Sequence, residues 1–146
     1  YYKVKDVEEI PNIIPSTGGD NIPAIASILF GWNCDFNILL DQDDKGHSVY
    51  DSINDSKKPF LDKLIFIDGN VEKNLDKDFE IENLFSTNDQ VKFGISNEDY
   101  AEYKYNYSYN TYNKILLKED TYDEITIKNF DKLIEKINKQ NKKVGD

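Results

Sequence analysis

At 146 residues the chain is long enough for one domain with its own core. Being 38% hydrophobic and 32% charged excludes a disordered chain, and the lack of any apolar stretch near bilayer length, or of a signal-peptide pattern, predicts a soluble cytoplasmic protein with no membrane partner. A net charge of −10, from 28 acidic against 18 basic residues, excludes coating nucleic acid by charge alone, but not an enzyme that reaches phosphates through bound metals.

Tyr1 to Glu9 mixes aromatics and charges and reads as a helix tail or a linker. The chain holds no Met and reads as a fragment of a longer protein. Ile10 to Pro15 predicts a short strand around Ile13-Ile14, ended by Pro15. Ser16 to Asn21 is a loop by composition. Ile22 to Trp32 predicts the clearest helix, with Ile22, Ile25, Leu29 and Trp32 on one apolar face, Asp20 or Asn21 as cap, Pro23 in the first turn and Gly31 loosening its end. Cys34 is the sole cysteine, lacks zinc-ligand neighbours and reads as structural.

The most informative stretch is Phe36 to Gly46, FNILLDQDDKG. Its apolar run reads as a buried strand that stops at Asp41. Alternation along a strand points Asp41 and Asp43 the same way, and two adjacent carboxylates repel. A divalent cation relieves that repulsion, and magnesium prefers such hard oxygen ligands. Asp44 faces the other way and reads as a cap for the next helix, Lys45 to Ile53, with Gly46 allowing a tight turn. The lone His47 reads as a surface or helix-capping residue.

Leu64 to Ile67 predicts a second buried strand, and Asp68-Gly69-Asn70 a turn. Phe79 to Phe85 is short and amphipathic. Ser86 reads as a helix cap with Asp89 as an approximate capping-box partner. Tyr100 to Tyr112 is tyrosine-rich with little periodicity, which predicts an irregular or weakly helical surface; acidic neighbours argue against base stacking there. Thr126 to Lys143 predicts a helix with Ile127, Phe130, Ile134 and Ile137 as its apolar stripe and its lysines, Lys136 among them, on a solvated face. Strands alternating with helices imply an α/β fold with a mostly parallel sheet flanked by helices, and sites in such sheets form at the carboxyl ends of the strands. The expected division is a core over residues 1–95 and a mainly helical C-terminal extension over 96–146.

The succession NIIPSTGGDNIPAIASILFGWNCDFNILLDQDDKG, followed later by IENLFS and a lysine, resembles the Toprim nuclease domain of OLD-family (overcoming lysogenization defect) ATP-dependent endonucleases, from about Pro11 to Phe85. The resemblance implies Mg2+- or Mn2+-dependent hydrolysis of DNA phosphodiesters by two metals about 3.5–4 Å apart. Its D-x-D ligands match Asp41 and Asp43; Glu82 matches the acidic I-E-D-L-like segment, where this chain has Asn83 in place of a frequent Asp. Its late catalytic lysine matches Lys114, with Lys118 as rival. Backbone N–H groups of Ser16, Gly18 and Gly19 would add phosphate contacts. The family's first strand, with its glutamate in an E-G-x-S-D-like motif, has no match: Glu8 and Glu9 follow no apolar strand. The resemblance therefore implies a chain that is weak or inactive as a nuclease by itself. It also implies an upstream ATPase domain as partner, with homo-oligomerisation through that domain. No P-loop occurs in this chain.

Three other readings compete. An EF-hand loop counted from Asp41 fails, because Lys45 and Ser52 stand where Asp/Asn and Glu are needed. A phosphotransferase of the haloacid-dehalogenase type would use Asp41 as nucleophile, but Lys45 departs from its motif. A non-catalytic interaction module would use the acidic residues only as a solvated turn.

Overall fold

Two short apolar runs, each too brief to bury itself, set the architecture. A computed structural model describes residues 12–16, 18–69, 78–117 and 120–143, the last three without their side chains. Strands β1 (Ile38–Leu40) and β2 (Leu64–Phe66) pair in parallel, with Ile38 opposite Leu64 and Leu40 opposite Phe66. The Ile67 N–H donates to the Leu40 carbonyl at 3.0 Å and extends the ladder. Among the described residues the chain is α/β, mostly helical, with this small two-stranded sheet flanked by helices.

Helix α1 (Ile22–Gly31) starts with proline in its first turn, where the missing N–H costs no bond. Asn21 occupies the N-cap position without a side-chain cap bond. The helix ends at Asn33 rather than through Gly31: Asn33 has φ 55°, its N–H donates to Phe30, and the Cys34 N–H donates to Leu29. That is a left-handed C-terminal cap of the Schellman type. Helix α2 (Asp44–Asp55) ends the same way, with Lys57 at φ 48° and the Lys58 N–H bonded to Ile53. Ala26 of α1, Val49 and Ile53 of α2, Phe60, and Ile38, Leu40 and Phe66 of the strands form one core.

A second compact unit takes in Glu82–Lys132; the first comprises Ile13–Ile81 together with the chain from Leu133 on. The expected division at residue 95 falls inside the second unit. Helix α3 (Thr87–Lys92) is capped by Ser86, whose hydroxyl accepts from the Asp89 N–H at 3.2 Å. The reciprocal half of the capping box does not form, because the Ser86 N–H donates to the Thr126 hydroxyl and the Asp89 carboxylate accepts from the Asp123 N–H. Helix α4 (Tyr100–Leu116) and helix α5 (Glu124–Lys143) complete the chain. Phe85, Phe93, Tyr122 and Phe130 meet edge to face beside them. The Gln140 amide of α5 donates to the Asp62 carbonyl, which ties the end of that helix to the turn before β2.

Four expectations are corrected. Residues 12–15 form no strand: prolines flank Ile13 and Ile14, both are exposed, and neither has a ladder partner among the described residues. Trp32 caps α1 and is 75% exposed, while Ala26 is the residue of that helix that enters the core. The tyrosine-rich segment is helical on both sides of a kink at Tyr103, where φ −111° and ψ 22° leave helical values. Cys34 is exposed rather than structural. Tyr1 to Glu9, and Glu8 and Glu9 with them, lie outside the described residues. No described helix is long and apolar enough to cross a membrane.

Candidate functional site

The acidic turn follows directly from the way β1 ends. Gln42 keeps the chain extended for one residue by pairing antiparallel with Phe79, N–H to carbonyl in both directions at 2.8 and 2.9 Å. Asp43 is still extended, at φ −137° and ψ 176°, and α2 begins at the next residue. Asp43 is the N-cap: its Oδ1 accepts from the Gly46 N–H at 2.6 Å. This corrects the expectation for Asp44, which occupies the first helical turn instead. Both charges stand at the positive end of the helix dipole, which favours them. Asp41 sits two residues before Asp43, and its Oδ1 accepts from the Ile81 N–H at 3.1 Å.

Gly46 lies inside the first turn of α2, not in a turn before it. A Cβ there would stand 2.0 Å from the Asp41 carbonyl oxygen and 3.2 Å from Asp43 Oδ1. Glycine is needed at this position for close backbone approach. The loop expected to touch phosphate lies beside the same turn. A Cβ on Gly19 would meet the Lys45 side chain at 2.9 Å and Val49 at 3.1 Å, and Lys45 pairs with Asp20. Gly18 is exposed at φ 126°, a conformation that glycine adopts without strain. Ser16 is part of this loop, and Thr17 lies outside the described residues.

Sequence reasoning missed four contributors. Gln42, the spacer of the acidic pair, is 1% exposed and its amide reaches Asp68 at 3.4 Å. His47 is 7% exposed, not a surface residue; its Nε2 lies 2.6 Å from Gln42 Oε1 and its ring stacks on Phe66. Asp68 follows β2 after one intervening residue, Ile67, and Asp41 comes directly after β1, so carboxylates stand past both strands. Lys136, read as part of a solvated face, has its ammonium against Gly69 just beyond β2. The signal for Asp68 was available, since it too is an acidic residue ending an apolar run. Nothing in one sequence marks Gln42 and His47 as partners.

Glu82 and Lys114 belong to the other unit. The Glu82 carboxylate pairs with Lys104 and accepts from the Tyr100 hydroxyl at 3.4 Å. Burial, and then the Glu82 charge, push the Tyr100 phenol above its ordinary value. Lys114 is exposed on α4, with its carbonyl accepting from the Asp120 N–H. Lys118 lies outside the described residues. The structure thus groups Asp41, Asp43 and the Ser16–Gly19 loop in one unit, while Glu82 and Lys114 stand in another. Among the described residues, no three His, Cys, Asp or Glu side chains form a group that would hold a metal ion by themselves.

Compared with family models, characterised proteins and solved structures, the chain matches none at a significant level.

Proposed function

We propose that the unit built on β1 and β2 carries a Toprim-like site for divalent-cation-dependent hydrolysis of DNA phosphodiesters. The observation that carries this reading is the acidic turn, with Asp41 and Asp43 at the carboxyl end of β1 in a parallel pair. Ligands in such sheets bind beyond the carboxyl ends of the strands. The donor set fits Mg2+, which takes one or two carboxylates and completes its shell with water and substrate phosphate rather than an all-protein cage. Asp41 and Asp43 would hold the cation. When bound, it would supply an activated water and charge stabilisation at the phosphate.

The chain's own residues do the rest. Asp43 spends one oxygen on the Gly46 N–H, which fixes its rotamer. Gly19 brings the loop backbone close to the first turn of α2. The resemblance also names Glu82 as a ligand and Lys114 as a catalytic lysine; both belong to the other unit. An upstream ATPase domain, and oligomerisation through it, complete the proposed assembly.

The Asp43–Gly46 bond favours a second reading, in which the acidic turn is only a helix cap. One experiment separates them. Crystals soaked in Mn2+ are examined by anomalous scattering, and plasmid nicking with Mg2+ is compared between the wild type and Asp41→Asn. An anomalous peak at Asp41 and Asp43 that Asp41→Asn removes supports the nuclease site, with nicking by this chain alone expected to be weak or absent. No peak and no nicking leaves the cap reading. A covalent phosphate on Asp41 would instead mark a phosphotransferase.

A further inference from the structure

The residue between the two aspartates is buried and tied on every side. Gln42 Oε1 can only accept, so the 2.6 Å contact with His47 makes the imidazole Nε2 a donor. That assignment turns the Gln42 amide nitrogen toward Asp68 Oδ2, 3.4 Å away. The Gln42 backbone is fixed independently by Phe79. His47 is itself held, its ring 4.7 Å from Phe66 of β2 and its backbone N–H donating to the Asp43 carbonyl. One side chain therefore links the first turn of α2, the end of β2 and the acidic turn. A buried polar relay of this kind specifies a single arrangement, because any slip leaves a buried group unpaired.

We propose that Gln42 and His47 are positioning residues that set the geometry of Asp41 and Asp43 for a divalent cation. This rests on the reading of the acidic turn given above. The competing account is that the pair only stabilises the core. The two accounts differ when both partners become apolar, because replacing both restores stability without restoring the relay.

The test uses the full chain with Mn2+ alone as probe, its affinity read by calorimetry and stability by urea unfolding. His47→Phe keeps a ring on Phe66 and removes the donor; His47→Gln keeps a donor; Gln42→Met with His47→Phe removes both ends of the bond. The expected result is Mn2+ binding by the wild type, about 10-fold weaker binding in His47→Phe, as for other groups that orient metal ligands, and near-wild-type binding in His47→Gln. The double variant should regain the wild-type unfolding midpoint but not the affinity. Wild-type affinity in the double variant would overturn the inference and leave the cation site standing. No Mn2+ binding by the wild type would overturn both. Should His47→Phe alone fail to fold, the double variant decides.

Discussion

Gly46→Ala sets two physical effects against each other, and the structure decides between them. Helix propensity alone favours alanine by about 1 kcal/mol. Against this, the new Cβ would lie 2.0 Å from the Asp41 carbonyl oxygen, where contacts under 3.0 Å are essentially never seen. The obstacle is backbone, so it cannot rotate away, and the turn or the helix must move by about 1 Å. Such overpacking costs about 1–3 kcal/mol. The shift also strains the Asp43–Gly46 cap, itself worth about 1 kcal/mol. The clash wins, and the expected net loss is about 1–3 kcal/mol. Urea unfolding followed by far-UV circular dichroism reads the loss directly, and a melting temperature lower by about 4–8 °C should accompany a loss near 2 kcal/mol. Mn2+ affinity should fall with it, since Asp41 and Asp43 are the groups displaced. An alanine variant more stable than the wild type would refute the argument that backbone approach dictates glycine here.

Asp43→Ala should cost about 1 kcal/mol through the lost cap, whereas Asp43→Asn should keep most of that stability and still lose Mn2+; equal Mn2+ binding in Asn and wild type would separate the cap from the site. Lys57→Gly should stabilise by about 1 kcal/mol in the same unfolding assay, because a left-handed cap at φ 48° strains a lysine and not a glycine. The Ser86 hydroxyl, followed by the Asn88 amide, holds the Asp123 carboxyl below its ordinary 3.8. Its contribution is therefore present above pH 3.8 and lost as pH falls through the lower folded value, so Asp123→Asn should flatten the acid limb of stability measured below pH 3.8.

Much of the fold is written in apolar spacing. The runs at Ile38–Leu40 and Leu64–Phe66 and the stripe of α2 announce buried elements by pattern. In α5 the stripe Ile127, Phe130, Ile134 and Ile137 is only half-buried, and Leu133 and Thr126 are the buried residues. Helix α4 escapes this reading because its partly buried face is made of Tyr100, Tyr107, Thr111 and Ile115. Their spacing is helical, but polar atoms and the other tyrosines mask it. Ile13-Ile14 misleads in the opposite direction, since an apolar pair without a neighbouring strand has nothing to pair with. That acidic residues follow the first strand was legible, because the apolar run stops at Asp41. What stayed hidden was the polar anchoring: a cap is a matter of one residue's register, and a Gln42–His47 bond arises only when α2 folds back over the turn.

The parallel pairing also dictates an order of assembly. Adjacent antiparallel strands can zip from a hairpin, but Ile38 and Leu64 pair only by closing the long connection that contains α2. A helix forms from neighbours along the chain, whereas this pairing must first meet the entropy of a closed loop. The expected order is helix before sheet, with Val49 and Ile53, which pack against the strands in the folded core, as the surface on which they condense. Truncating those two side chains should slow refolding, while trimming Leu39, exposed on the outer side of β1, should leave the refolding rate unchanged. The acidic turn would then be among the last features to form, completed only when the sheet closes.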